Sequence, residues 1–472
     1  MKKNLSLLLL LFLIATLLGG CVDYAPPPKI VHADNYTATL NSEKRVLPEY
    51  NGLFTVDDAI RIGLANNPDY ESQRLSVTLA YNSYYQAMVS YLPSLNVSTS
   101  MDVGGGQTQT PAFGSAGWQK SAWSHGASAT ASSSLVIFNG LRREFNLLAQ
   151  AANVKMTEEQ QKDMRRILIY SIIIAYYDIA QTKEQIKVTR ADMKFQEQMR
   201  EFEMAKFQQN LVTEESVFNF EYLAEQDKST ILGLDLSYKA QTYTLASLLG
   251  LTSADLPKDI KLMSISEIVE TINIDFNPMG VEYYLDIAID QRPDLKALRE
   301  NLRMSKYQLY GAWGAFAPVV TADANYGWGT ADWLHQDNRA GANAVGYGIG
   351  SSWTIWDNGN NIFNLRAAQI NYDIQYQTLL SGWIQIIQSV RYAYDAMQIS
   401  LENYKVLEKA AEIAEKQRKM VQALYETDMV TLPRMNEAQN NLYQAQFTLA
   451  IATIGIYQAK ANLEKACGIS RY

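Results

Sequence analysis

Leu92-Pro93-Ser94-Leu95-Asn96-Val97-Ser98-Thr99-Ser100-Met101-Asp102-Val103 is the stretch on which the architecture turns. Behind the proline, Leu95, Val97, Thr99, Met101 and Val103 alternate with Asn96, Ser98, Ser100 and Asp102. A period of two places one set on each face of a β-strand, and a run of about nine or ten residues is the length of a strand that crosses a bilayer. The pattern returns after Pro318, where Val320, Ala322, Ala324, Tyr326 and Trp328 alternate with Thr321, Asp323 and Asn325. Return strands are expected over residues 127–138 and 343–356, the latter with Val345, Tyr347, Ile349, Trp353 and Ile355 on one face. The connecting segments 104–124 and 329–342 are rich in Gly, Ser, Asn and Gln and read as loops. Four strands leave two raw edges and are too few for even a filled barrel, which takes about eight. Oligomerisation must close the sheet, and three copies give twelve strands with room for a lumen.

Working outward, the strands prove to be parts of a duplicated unit. Asn67-Pro68-Asp69-Tyr70 is echoed by Arg292-Pro293-Asp294-Leu295, and Leu92-Pro93-Ser94 by Ala317-Pro318-Val319, at an offset of 225 residues. Phe138-Asn139-Gly140 matches Trp356-Asp357-Asn358-Gly359, Leu211-Val212-Thr213 matches Met429-Val430-Thr431, and Leu249-Gly250-Leu251-Thr252 matches Cys467-Gly468-Ile469-Ser470. Each copy reads helix, two strands, long helix, turn, helix. Ile169, Ile172, Tyr176, Ile179, Ile186 and Met193 follow a heptad seam, repeated as Ile387, Val390, Tyr394, Met397, Tyr404 and Ala411. Lys183 and Arg190 interrupt the first seam. The helix expected over residues 140–209 would span about 105 Å; those over 55–92 and 213–250 are each about half as long, so two can stack end to end beside it. A soluble helical bundle explains the heptads equally well but leaves the strands unexplained.

At the N-terminus Lys2 and Lys3 precede an apolar run from Leu5 to Leu18, the n-region and h-region of a signal peptide. The run ends in Leu18-Gly19-Gly20-Cys21, which resembles a bacterial lipobox and puts a lipid on Cys21. Val22 follows the cysteine in place of the Asp that commonly retains enterobacterial lipoproteins in the inner membrane, so outer-membrane sorting is favoured. Pro26-Pro27-Pro28 reads as a stiff tether. Beyond the signal no apolar run reaches the ~20 residues of a spanning helix; a membrane crossing would have to be a closed β-barrel. The expected division is residues 1–20 as lipoprotein signal, 21–54 as anchored tether and equatorial segment, 55–251 as first repeat (strand pair 94–138, turn 210–213), 252–280 as equatorial linker, and 281–472 as second repeat (strand pair 318–356, turn 428–431).

Composition removes several function classes. His32, His125 and His335 and the two cysteines, Cys21 and Cys467, lack metal-ligand spacing. A net charge of -8 without a Lys/Arg block argues against nucleic acid. Neither Gly-x-Ser-x-Gly nor a Walker loop occurs, and Gly346-Tyr347-Gly348-Ile349-Gly350 lies within an alternating strand. No enzyme, catalytic residue, metal or cofactor is expected.

Asn67-Pro68-Asp69, Leu92-Pro93-Ser94, Phe138-Asn139-Gly140-Leu141-Arg142-Arg143 and Asn210-Leu211-Val212-Thr213 together resemble the signature of the TolC-like outer membrane efflux family, over nearly the whole mature chain. The resemblance implies an α+β membrane protein with two internal repeats. It would be a trimeric channel-tunnel whose 12-stranded β-barrel, four strands per chain, continues into a long periplasmic α-helical coiled-coil barrel. Such homotrimers sit in outer-membrane lipid and are exit ducts for an inner-membrane transporter joined through a periplasmic adaptor protein. The family's turns usually carry Gly where this chain has Asn210 and Asp428. Residues Asn210, Leu211, Val212 and Thr213, with Asp428, Met429, Val430 and Thr431, become the adaptor-docking tips. A periplasmic aperture is expected just inside them. Where family channels carry acidic rings this chain has Arg434 and Glu437, expected to pair across the closed aperture, with Tyr425 and Ser216 joining adjacent helices and Glu215 nearby. A duct for type I protein secretion is the alternative within the pore class, and a non-pore periplasmic scaffold the alternative outside it.

Overall fold

The computed structural model describes residues 53–469, apart from 105–106, 111–116, 121–123, 254, 258–259, 272–277 and 332–339. The signal segment, Cys21 and the proline tether lie outside the described residues. In chain order, β1 (Leu53–Phe54) precedes α1 (Val56–Asn66) and α2 (Pro68–Val89). Then come β2 (Ser94–Gly104), the hairpin β3 (Gln107–Thr110) and β4 (Gly117–Lys120), β5 (Ser124–Phe138), α3 (Arg142–Gln208) and α4 (Glu214–Leu248). The linker holds β6 (Lys261–Leu262) and α5 (Ile265–Thr271). The second half runs α6 (Val281–Gln291), α7 (Pro293–Trp313), β7 (Val319–Ala331), β8 (Ala340–Ser352), α8 (Asn360–Glu426) and α9 (Leu432–Cys467).

The single helix expected over residues 55–92 is two. Thr55 starts α1 with a capping box, its Oγ1 accepting from the Asp58 N–H while the Asp58 carboxylate accepts from the Thr55 N–H. The helix then stops at Asn67, because Pro68 disfavours helical backbone in the residue before it. Asn67 turns extended and accepts from the N–H groups of Asp69 and Tyr70, restarting the chain as α2 with Pro68 in its first turn. The second copy breaks in the same way between α6 and α7, at Arg292 and Pro293. There the ends of two helices abut. The Asn67 amide donates to Leu248 O at 3.0 Å, and the Arg292 guanidinium donates to Ala466 O at 2.9 Å, so each copy caps the C-terminal end of its last helix from the break in its first.

The four long strands form one antiparallel sheet in the order β2-β5-β7-β8. Its registers set like against like: Val97 opposes Ala131, Ala131 opposes Tyr326, and Tyr326 opposes Val345. One largely apolar face therefore crosses all four strands, and Val97, Tyr326, Val345 and Tyr347 on it are exposed in the single chain, Tyr347 at 88%. Asn96, Ser132, Asn325 and Gly346 line up on the opposite face. β8 ends at Ser352, short of the expected residue 356. Trp353 instead donates its indole N–H to Phe316 O at 3.0 Å, and the Asp357 carboxylate accepts from the N–H groups of Gly359 and Asn361, turning the chain into α8.

α3 and α8 have 67 residues each, which is about 100 Å of helix. The larger apolar cluster packs α3 from Leu168 to Ala180 against α1, α6, α8 and α9, with the linker closing over it. Leu53 and Phe54 pair in parallel with Lys261 and Leu262. The buried Tyr176 hydroxyl fastens that ladder, donating to Phe54 O and accepting from Met263 N–H. A smaller cluster of Met199, Phe220, Val421, Tyr425, Met435 and Ala438 lies toward the helical turns. Between the two clusters the buried face of α3 is mostly polar, with Ile186 standing among Thr182, Gln185, Thr189, Asp192 and Gln196. The expected seam keeps Ile186, which is buried, but steps aside at Lys183, Arg190 and Met193: the stripe runs 176, 179, 182, 185 and then 189, 192, 196, 199 and 203, with Ile186 buried beside it. Successive spacings of three overwind the coil locally and shift the seam by one residue. Lys183 and Arg190 thereby reach the exterior, where Lys183 donates to Leu262 O.

Candidate functional site

The two helical turns are built alike. α3 ends with Asn210 in left-handed backbone at φ 58°, and the Leu211 N–H returns to Lys206 O while the Asn210 N–H returns to Phe207 O. That is the Schellman arrangement, in which the residue past the helix must adopt positive φ. α8 ends with Asp428 at φ 57°, and Met429 N–H returns to Leu424 O. Asn and Asp stand where glycine is usual because, among residues with a β-carbon, they tolerate this conformation best. Thr213 and Thr431 then open α4 and α9 with nearly identical extended backbone. The turns hold Leu211 and Met429 out, 66% and 72% exposed, while Val430 packs inward on the smaller cluster.

The turns are joined to each other by a contact that the sequence did not reveal. Lys206, at the end of α3, forms an ion pair at 2.7 Å with Asp428 in the second turn. Its ammonium also lies 4.8 Å from the Phe202 ring centroid and 5.6 Å from that of Tyr425. Tyr425 donates its hydroxyl to Glu203 Oε1 at 3.1 Å, and Glu203 is fully buried. Burial and the Glu203 charge push the Tyr425 phenol well above its ordinary range, so it stays a donor. Its partner is thus Glu203 and not Ser216, which is half-buried at the start of α4, while Glu215 is exposed. Glu203 and Lys206 were hidden by the seam's step: in the shifted register 192, 196, 199, 203, the inward position of Glu203 becomes visible.

Arg434 and Glu437 also differ from expectation. Spaced three apart on α9 they share a helical face, and they pair with each other at 2.6 Å within one chain, both half exposed. An exposed pair of this kind contributes about 0.2 to 1 kcal/mol. Above them a cavity of about 610 Å³ is lined by Asp192, Gln196, Asp227, Asn436, Glu437 and Tyr443, among others. Among the described residues no group of three or more His, Cys, Asp or Glu is placed to hold a metal ion, and no helix is long and apolar enough to cross a membrane.

The chain is 23% identical over 453 residues to nodulation protein T of Rhizobium leguminosarum bv. trifolii, an alignment covering 92% of this chain and 91% of the relative. Among solved structures it superposes on the outer-membrane channel OprN with a TM-score of 0.75 at 17% identity, covering 88% of this chain and 90% of that one. It superposes on CusC with a TM-score of 0.74 at 18% identity, covering 90% and 96%. Each superposition covers 88% or more of this chain, so the fold is that of the TolC-like outer-membrane channels. The profile of the outer membrane efflux protein family matches residues 59–251 and 284–469, the two repeats in turn. With its duplicated halves, its four-stranded sheet and that match, the chain belongs to the outer membrane efflux protein family, whose members are transport channels and not enzymes.

Proposed function

We propose that three copies of this chain close their sheets into a 12-stranded barrel in the outer membrane, with α2–α4 and α7–α9 of each copy forming the periplasmic tube. The assembly then serves as the exit duct of a tripartite efflux system, receiving substrates from an inner-membrane transporter through a periplasmic adaptor. The observation that carries this reading is the largely apolar face of a sheet whose outer strands, β2 and β8, each have a neighbour on one side only among the described residues. A soluble monomer gains nothing from such a face or such edges. A second feature points the same way: Tyr392, Ile399, Val406, Ile413 and Met420 stand seven residues apart along α8, all exposed. That is a seam lacking its partner helix, and a neighbouring copy supplies one.

In this reading the exposed Leu211 and Met429 of the turns 210–213 and 428–431 present the docking surface, and the aperture lies just inside the tips, at the level of Glu215, Ser216, Tyr425, Arg434 and Glu437. The Lys206–Asp428 and Tyr425–Glu203 contacts tie the two hairpins of one chain together there. Detergent-extracted protein should run as a trimer in native mass spectrometry and conduct ions in planar bilayers. A stable, non-conducting monomer would remove the barrel and the duct together.

A further inference from the structure

Next to the break between α6 and α7 lies a cavity of about 440 Å³, lined by Lys162, Arg165 and Arg166 of α3, Lys296 in the first turn of α7, and Gly468 and Ile469 just past the end of α9. Among the described residues no carboxylate lines it. A larger neighbouring cavity, which shares Arg166, has the acids: Asp163 and Asp294 line it beside Arg292 and Lys465. Both are engaged there, Asp163 with Arg166 at 2.5 Å and Asp294 with Arg292 at 2.6 Å. Lys162, its side chain 62% exposed, pairs with Glu159. That leaves Arg165 and Lys296, half-buried and with neither an ion pair nor a side-chain hydrogen bond among the described residues.

Two cations lining one cavity without an acid need a reason, since like charges repel and partial burial deepens the cost. Capping the end of α9 is the ordinary one, because cations suit the last turn of a helix. Here that duty is filled by others. Arg166 donates to Lys465 O, Arg292 to Ala466 O and the Tyr170 hydroxyl to Ile469 O, and among the described residues Arg165 and Lys296 donate to none of these carbonyls. What the pair matches is an oxyanion. A guanidinium presents a planar fork that phosphate and carboxylate oxygens accept in pairs, the ammonium supplies a second charge, and the first turn of α7 adds partial positive charge of its own. Ile169, Pro293 and Ile469 complete the lining with apolar surface, and the volume lies within the range of small-molecule sites, about 300 to 1,000 Å³. We propose that this pocket binds a small molecule bearing a phosphate or carboxylate group, with Arg165 and Lys296 holding its oxygens. α3 belongs to the first repeat and α7 and α9 to the second, so the bound anion ties the two halves together where their helix ends meet. Nothing in this site depends on the channel reading.

Isothermal titration calorimetry on the full-length protein in detergent, at physiological salt where exposed charge is screened, tests the site with pyrophosphate and citrate as probes. At least one of them should bind saturably, at one site per chain; tighter pyrophosphate assigns a phosphate compound and tighter citrate a carboxylate. Arg165→Gln and Lys296→Gln keep most of the side-chain bulk and should each weaken binding about tenfold, the loss of one charged hydrogen bond. Arg303→Ala removes an exposed cation elsewhere on α7, one paired with Glu300, and should leave affinity within about twofold. Hydrogen–deuterium exchange supplies a second readout: the tighter probe should raise protection of residues 160–170 and 293–300 in the wild type and not in the two Gln variants. Absence of saturable binding by either probe, or an equal loss in Arg303→Ala and Arg165→Gln, overturns the proposal.

Discussion

Gly250 and Gly468 occupy the points where helix ends meet, each with positive φ and no room for a β-carbon. A Cβ at Gly250 would stand 2.4 Å from Asn66 O, and one at Gly468 would stand 2.8 Å from the Arg292 side chain. The two sites differ in how hard the clash is: a backbone oxygen at 2.4 Å at the first, Arg292 Cγ at 2.8 Å with its Cα at 3.0 Å at the second. Gly250→Ala is therefore expected to cost about 2 to 4 kcal/mol, strained φ and backbone clash together, and Gly468→Ala about half as much. Thermal unfolding of the two variants side by side checks the ranking, and equal losses would count against it. The repeat of Leu-Gly and Cys-Gly was legible in the sequence, and so was the pairing of Asn67 with Arg292. That each of those residues caps the other helix's end was not, because 181 residues separate Asn67 from Leu248 and no local pattern reports on the contact.

At the scale of elements, period two placed all four strands, since alternation survives whether one face meets lipid or a core. The heptad signal located the long helices and the buried Ile186, yet it missed the one-residue step that buries positions 189, 192, 196, 199 and 203, because Lys183 and Arg190 read as blemishes in a straight seam and not as markers of a step. The turns carry two expectations. Changing Leu211 and Met429 to Asp removes the exposed apolar tips while leaving the backbone returns to Lys206 and Leu424 intact. It should abolish drug efflux in a strain dependent on this channel with trimer assembly unchanged; undiminished drug tolerance would argue against docking. Lys206→Ala deletes one tie between the hairpins and should raise bilayer conductance more than Arg434→Ala or Glu437→Ala, whose pair is exposed and within one helix. The reverse ranking would place the aperture's hold at Arg434 and Glu437.

For the whole molecule, the proposed lipid on Cys21 and the proposed barrel are independent attachments to the same membrane. One acyl chain alone binds weakly and reversibly, so a multiply acylated cysteine is needed to hold a chain before its sheet has closed. Cys21→Ala should eliminate incorporation of labelled palmitate, leave assembled trimers resistant to extraction by alkaline carbonate, and slow their appearance. Loss of insertion altogether would mean that the barrel does not anchor by itself.

The half-open sheet has a consequence for how fast, and not only whether, the assembly forms. Among the described residues each chain leaves the outer edges of β2 and β8 without a strand partner, and two chains would close only an eight-stranded ring, a filled barrel with no lumen. In the proposed trimer the sheet gains its full set of hydrogen bonds only when the third chain arrives, so the rate of maturation should climb steeper than linearly with the density of chains at the membrane. At low expression the long-lived species is the unclosed chain, with its apolar face and bare edges open to any passing strand. Confining such chains to a surface, where encounters are many and foreign edges few, is then what separates channel formation from aggregation.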